Sequence, residues 1–216
     1  MSIAVKICGI TGLEAVDAAI ASGAVYGGLV FHPKSPRFVA LDQARVLADR
    51  MRGRLKIVAL VADMDDAQLK AMVDAVRPDI LQLHGGESVQ RTAQIRAAFG
   101  LPVIKALPIG EAADLDAVPA YEAVADMLMF DAKPPKGAER AGGHGTAFDW
   151  KLLAGRSFNR PWFLAGGLNP ENVARAIELS GAKFVDVSSG VESAPGVKDA
   201  ARIAQFINAA KSPVQA

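Results

Sequence analysis

A single thiol and a few carboxyl, guanidinium and imidazole groups carry the chemical information in this 216-residue chain. Cys8 is the only cysteine, so no intrachain disulfide can form and the thiol is open to acid–base chemistry or to burial as a small hydrophobe. A free cysteine titrates near about 8.5, so little of it is thiolate at neutral pH unless a cation lies nearby. Lys6, two residues earlier, falls on the same face of an extended strand. Asp131 closes another apolar run, where it can exchange protons, cap the next loop or pair with Lys133 or Lys136. An aspartate starts near about 3.9, and one that delivers a proton near neutrality needs an apolar setting or neighbouring negative charge.

Arg37 offers a planar fork that suits a carboxylate, or it is a solvated surface charge. Gln82 and His84 share a run end and read either as ligand contacts or as hydrogen-bonded wall. Gly166 and Gly167, and then Ser188, Ser189 and Gly190, form two glycine-containing clusters late in the chain. Glycine lets backbone N–H groups approach phosphate oxygens closely. The three histidines, His32, His84 and His144, are scattered, and no metal-ligand set is expected.

Eight short apolar runs position these groups: Ala4–Cys8, Tyr26–Phe31, Lys56–Val61, Ile80–His84, Val103–Leu107, Met127–Asp131, Trp162–Ala165 and Phe184–Val187. Their continuity suits strands buried on both faces of a parallel sheet. Helical periodicity fills the gaps, as at Leu69, Met72, Val73 and Val76, at Leu13, Val16 and Ile20, and at Ile203, Phe206 and Ile207. Asn169-Pro170 reads as a helix start, and Gly23, Gly53, Gly100 and Gly181 as helix ends. Eight strand–helix units predict an α/β fold, a (β/α)8 TIM barrel. The alternative is an open flavodoxin-like or Rossmann sheet, which usually has fewer strands. The barrel is expected to be a single domain over 1–216, with about 211–216 a loose tail.

In a barrel the site lies at the C-terminal strand ends, and the loops after strands 7 and 8 often hold phosphate. The ends of strands 1 and 6, carrying Cys8 and Asp131, then face one another across the mouth. The long segment between Met127 and Trp162, with Gly142-Gly143-His144-Gly145, reads as a functional loop.

Composition excludes several classes. Half of the chain is apolar, 22% is charged and the net charge is +1, with no basic stripe for nucleic acid or a membrane surface. No apolar stretch reaches the roughly 20 residues of a membrane span. Met1–Gly9 lacks a long apolar region of the secretory type, so a cytoplasmic location is expected.

Lys6-Ile7-Cys8-Gly9-Ile10-Thr11 resembles the opening signature of the phosphoribosylanthranilate isomerase family. Gly28-Leu29-Val30-Phe31 with Lys34-Ser35-Pro36-Arg37, Gln82-Leu83-His84-Gly85 and Phe130-Asp131 follow in family order. So do Gly142 to Gly145 with Phe148-Asp149-Trp150, Leu164 to Leu168, and Asp186-Val187-Ser188-Ser189-Gly190-Val191-Glu192. The likeness runs from residue 6 to about 199. His144 departs from it, since family members more often carry Ser or Thr there, and no hydroxyl contact is carried over from that loop.

The resemblance implies a cofactor-free Amadori rearrangement in tryptophan biosynthesis. N-(5-phosphoribosyl)anthranilate becomes 1-(2-carboxyphenylamino)-1-deoxyribulose 5-phosphate. It implies Asp131 as general acid, Cys8 as general base and Arg37 on the anthranilate carboxylate. Gln82 and His84 would line the substrate, and Gly166, Gly167, Ser188, Ser189 and Gly190 would hold the phosphate. Asp186 would orient that loop, since a carboxylate repels a dianion. The partner is a small phosphoribosyl molecule, and a monomer is favoured over a homodimer. A metal-dependent epimerase, a histidine-pathway isomerase and a non-catalytic binder are the rivals, disfavoured by the scattered histidines, by the absence of an acid on strand 5 and by the presence of both Cys8 and Asp131, in turn.

Overall fold

The computed structural model describes residues 3–133 and 147–212. Eight parallel strands close into a barrel in chain order: β1 (Ala4–Cys8), β2 (Tyr26–Val30), β3 (Lys56–Val61), β4 (Ile80–Leu83), β5 (Val103–Ile109), β6 (Met127–Ala132), β7 (Trp162–Leu164) and β8 (Phe184–Val187). Closure pairs β1 with β8, so that Lys6 stands beside Asp186 across the seam. The barrel is the architecture expected from the apolar runs, and the open-sheet alternative is set aside. No helix among the described residues is long and apolar enough to cross a membrane.

Strand alternation sorts the core into two clusters. Ile57, Leu81, Val103, Leu128 and Val185 point outward and pack beneath the helices. Val58, Ile80, Ile104, Ala106, Met129, Phe163 and Ala165 form a second cluster, with Tyr26, Met127 and Phe184 against it. That cluster draws on strands and strand ends alone and fills the barrel lumen. Phe163 meets Tyr26 and Phe184 at ring-centroid separations of 5.3 Å each. This apolar plug carries the polar groups of the C-terminal end, as the layered filling of such barrels requires.

The surrounding helices are α1 (Leu13–Ala21), α2 (Leu41–Met51), α3 (Asp66–Val76), α4 (Val89–Phe99), α5 (Val118–Glu122), α6 (Val173–Ser180) and α7 (Ala200–Lys211). Gly100 and Gly181 terminate α4 and α6 in the left-handed conformation. Gly23 and Gly53 instead lie one residue beyond the caps Ser22 and Arg52. Asn169 does not open α6 directly. Its side chain accepts from the backbone N–H groups of Glu171 and Asn172, capping a turn that precedes the helix. Among the described residues the β6–β7 connection has no α-helix; a 3-10 turn, Trp150–Leu153, packs against α6 there and stops before Gly155. The glycine-rich segment with His144 lies outside the described residues. Of the expected tail, Lys211 ends α7, Ser212 caps it, and 213–216 lie outside the described residues.

One buried carboxylate ties three strand ends together. Glu87 accepts from the backbone N–H of Asp63 at 2.8 Å and of Gly85 at 3.0 Å. It also accepts from Lys105 Nζ at 2.7 Å, and Lys105 itself donates to the Gly85 carbonyl. Gly85 follows His84, so this bracket fixes where the His84 ring leaves β4.

Burial would push the Glu87 carboxyl up, but Lys105 and the backbone donors outweigh it and hold it below its ordinary 4.5. Its contribution to stability is therefore complete above that value and is lost as pH falls through the lower folded-state value. Lys105→Met strands the carboxylate and should cost about 3–5 kcal/mol in denaturant unfolding at neutral pH. The loss should shrink on acidification, because the protonated Glu87 no longer needs the ammonium.

Candidate active site

Cys8 ends β1 facing the lumen, 4% exposed. Lys6 lies one inward position below it, fully buried, with Nζ 2.7 Å from Asp186 Oδ1. Burial works against the ammonium, yet Asp186 and Cys8 together more than offset it and keep Lys6 above its ordinary value. For the thiol the balance goes the other way. Burial pushes Cys8 above its ordinary value, Lys6 and Lys198 pull it down, and Asp186 adds to the rise. Lys6 is thus close enough to act on the thiol, but not enough to make it an acidic cysteine. Asp186, expected to orient the loop after β8, pairs with Lys6.

Gly28, the neighbour of Cys8 on β2, makes room for both groups. A Cβ there would lie 3.1 Å from Lys6 Nζ and 3.2 Å from Cys8 Sγ, so thiol and ammonium meet at one unfilled position.

Across the mouth, Asp131 is 9% exposed on β6, three strands away round the ring. His84 Nε2 lies 3.0 Å from Asp131 Oδ2, and the backbone N–H of Ala132 donates to Oδ1 at 2.9 Å. Gln82 is fully buried beneath, with Nε2 2.9 Å from His84 Nδ1 and 3.2 Å from Met129 Sδ. Gln82 and Asp131 thus each contact one ring nitrogen of His84. Gln82, His84 and Asp131 are therefore one hydrogen-bonded row. Lys133 turns away and pairs with Asp114 at 2.7 Å; Lys136 lies outside the described residues.

Arg37 is buried, and its stem crosses Gly9, whose φ is +73° and whose Cβ would overlap Arg37 Cδ at 2.5 Å. Its Nε and Nη2 donate to the two oxygens of Glu192 at 2.7 and 2.9 Å. Lys198 Nζ joins Glu192 Oε1 at 2.7 Å and reaches the Ser188 carbonyl at 3.0 Å. Burial would raise Glu192, but Arg37 and Lys198 hold it below the usual carboxylate range. Burial draws Lys198 below its ordinary value despite Glu192. Glu192 stood in the sequence motif without a role, and Lys198 had none; Pro195-Gly196 was the available turn signal.

The loops after β7 and β8 lie against each other. Gly166 and Gly167 have φ of +83° and +64°, open only to residues without a side-chain penalty. A Cβ on Gly190 would lie 2.0 Å from the Leu168 carbonyl oxygen, so no side chain fits there. Ser188 Oγ donates to the Cys8 carbonyl at 3.1 Å, which joins this loop to the thiol strand. Ser189 opens a 3-10 turn that runs to Val191. Among the described residues no group of three His, Cys, Asp or Glu is arranged to hold a metal ion.

The sequence profile of the family described as N-(5'phosphoribosyl)anthranilate (PRA) isomerase matches residues 5–209. The N-(5'-phosphoribosyl)anthranilate isomerase of Paramagnetospirillum magneticum is 55% identical over 211 residues, covering 98% of both chains. The crystal structure of phosphoribosyl anthranilate isomerase from Thermotoga maritima superposes with a TM-score of 0.86 at 36% identity, over 97% of this chain and 98% of that one. A phosphoribosyl anthranilate isomerase crystallised with reduced 1-(o-carboxyphenylamino)-1-deoxyribulose 5-phosphate superposes at 0.82 and 33% identity, over 97% and 98%.

The empty position at Gly28 is open to test. Gly28→Ala should displace the Cys8 thiol and the Lys6 ammonium, and should lower kcat about ten- to a hundredfold if that thiol reacts. Circular dichroism should show an intact fold. An unchanged kcat would mean that the thiol's position is immaterial to turnover.

Proposed function

The chain belongs to the N-(5'-phosphoribosyl)anthranilate isomerase family and carries out that family's Amadori rearrangement, a step of tryptophan biosynthesis, for which we propose Asp131 as general acid and Cys8 as general base. Asp131 gives a proton to the furanose ring oxygen while the anthranilate nitrogen lone pair forms an iminium at C1 and the C1–O bond breaks. The Cys8 thiolate then takes the C2 proton, and those electrons neutralise the iminium to give an enolamine. Protonation at C1 and loss of the C2 hydroxyl proton yield the ketone, an isomer of the substrate.

What supports this assignment is the placement of the two groups on the lumen face of strands three steps apart in one closed ring. Each has its own polar partner: the thiol lies next to the Lys6 ammonium, and the carboxyl is hydrogen-bonded to His84. His84 positions the Asp131 carboxyl, and Gln82 acts one layer lower by fixing the His84 ring. Arg37 meets the anthranilate carboxylate. The turns at Gly166-Gly167 and Ser188-Ser189-Gly190 hold the phosphate through backbone N–H groups, since the first opens towards φ values that expose them. These groups lie on one barrel domain, for which a monomer is the proposed state.

Cys8→Ala and Asp131→Asn should each lower kcat by about 10²–10⁴-fold while a product analogue still binds. Near-wild-type turnover in either variant refutes that residue's part. The competent form needs Asp131 protonated and Cys8 ionised. In Asp131→Asn the acid no longer titrates, so the residual kcat/KM should keep rising with pH through neutrality as the thiol, lifted by burial above its ordinary value, ionises. A plateau reached below neutral pH in that variant would exclude this thiol as the base.

A further inference from the structure

A two-stranded hairpin, β9 (Glu192–Ala194) with β10 (Val197–Lys198), follows β8 and is not part of the barrel. It is held firmly. Gly196, at φ +82°, presses against the loop that carries Arg37: a Cβ there would lie 2.4 Å from the Pro36 carbonyl oxygen. Thr11 Oγ1 donates to the Gly196 carbonyl at 2.7 Å. The hairpin thereby joins the loops after β1, β2 and β8.

Its two charged ends meet each other beside the Arg37 guanidinium. Glu192 takes both Nε and Nη2, and a bidentate arginine–carboxylate pair is a neutral unit. Such a pair would attract a further carboxylate weakly. Lys198 changes this, because its Nζ binds the same Glu192 oxygen that accepts from Arg37 Nε. Two cations then share one anion, and a single positive charge is left over. The Lys198 side chain is fully buried, so water screens that charge little.

We propose that Lys198 is a specificity-determining residue, supplying through Glu192 the surplus positive charge by which the Arg37 corner selects an aromatic carboxylate. The proposal rests on the reading of Arg37 as the anthranilate-binding group. Lys198 also reaches the Ser188 carbonyl and hydroxyl, at 3.0 and 3.2 Å, so a service to the phosphate end is the competing role. The two roles differ in which ligands they affect.

Inhibition constants for reduced 1-(2-carboxyphenylamino)-1-deoxyribulose 5-phosphate and for its counterpart without the ring carboxylate separate them. The wild type should prefer the carboxylated ligand, and Lys198→Met should reduce that preference at least about tenfold. Lys198→Arg, which keeps the charge, should retain the preference. The double variant Lys198→Met with Glu192→Gln restores the single surplus charge and should recover it, as a merely structural lysine would not allow. Equal weakening of both ligands in Lys198→Met would overturn the proposal in favour of the phosphate role. Arg37→Ala shows which premise has failed. Preference lost there but kept in Lys198→Met overturns the lysine's part alone, whereas preference surviving Arg37→Ala removes the Arg37 reading and the proposal with it.

Discussion

The buried ion pair between Lys6 and Asp186 is the constraint around which the upper barrel is arranged. The two residues are cross-strand neighbours at the β1–β8 seam, above an apolar plug of Phe163, Val58 and Met129. An unpaired ammonium in that position would be prohibitively costly, and an unpaired carboxylate equally so. Pairing at 2.7 Å makes the charge tolerable, and the seam that closes the barrel is what brings the partners together. Gly28 on the next strand leaves the space that the ammonium and the Cys8 thiol share. Ring closure, charge burial and thiol environment are therefore one problem with one solution.

The opposite wall solves a different problem. Asp131 is supported by the His84 ring and the Ala132 N–H. Gln82 holds the ring from below, and the Glu87–Lys105 bracket fixes the strand end from outside. One side of the mouth thus places a thiol against net burial and a balancing charge, while the other holds a carboxyl in a polar row. Two groups in dissimilar surroundings can take unlike parts in one proton-transfer sequence.

Much of the barrel was legible in the chain. Three of the eight strands keep the limits of their apolar runs, Ala4–Cys8, Lys56–Val61 and Phe184–Val187, and the rest differ at the C-terminal end by one or two residues. A continuous apolar run marks a strand buried on both faces, and that signal is local. The shared face of Lys6 and Cys8 followed from strand alternation alone. The sign of the thiol's shift did not, because it depends on burial by strands far away in sequence. Likewise His84 and Asp131 are 47 residues apart, and Arg37 and Glu192 are 155 apart. Only barrel closure makes them neighbours. The α-helix missing after β6 among the described residues also escaped periodicity, since a single turn at Trp150–Leu153 has too few residues to show a period.

A titration of Cys8 tests the role of the buried ion pair most directly, because the chain has no other thiol to confuse the signal. The rate of alkylation by iodoacetamide, followed against pH, gives the thiol's midpoint in the folded protein. Lys6 lowers that midpoint, so Lys6→Met should move it to higher pH than in the wild type, in samples shown by circular dichroism to be folded. A midpoint that stays in place, or moves to lower pH, would contradict the coupling of ammonium to thiol.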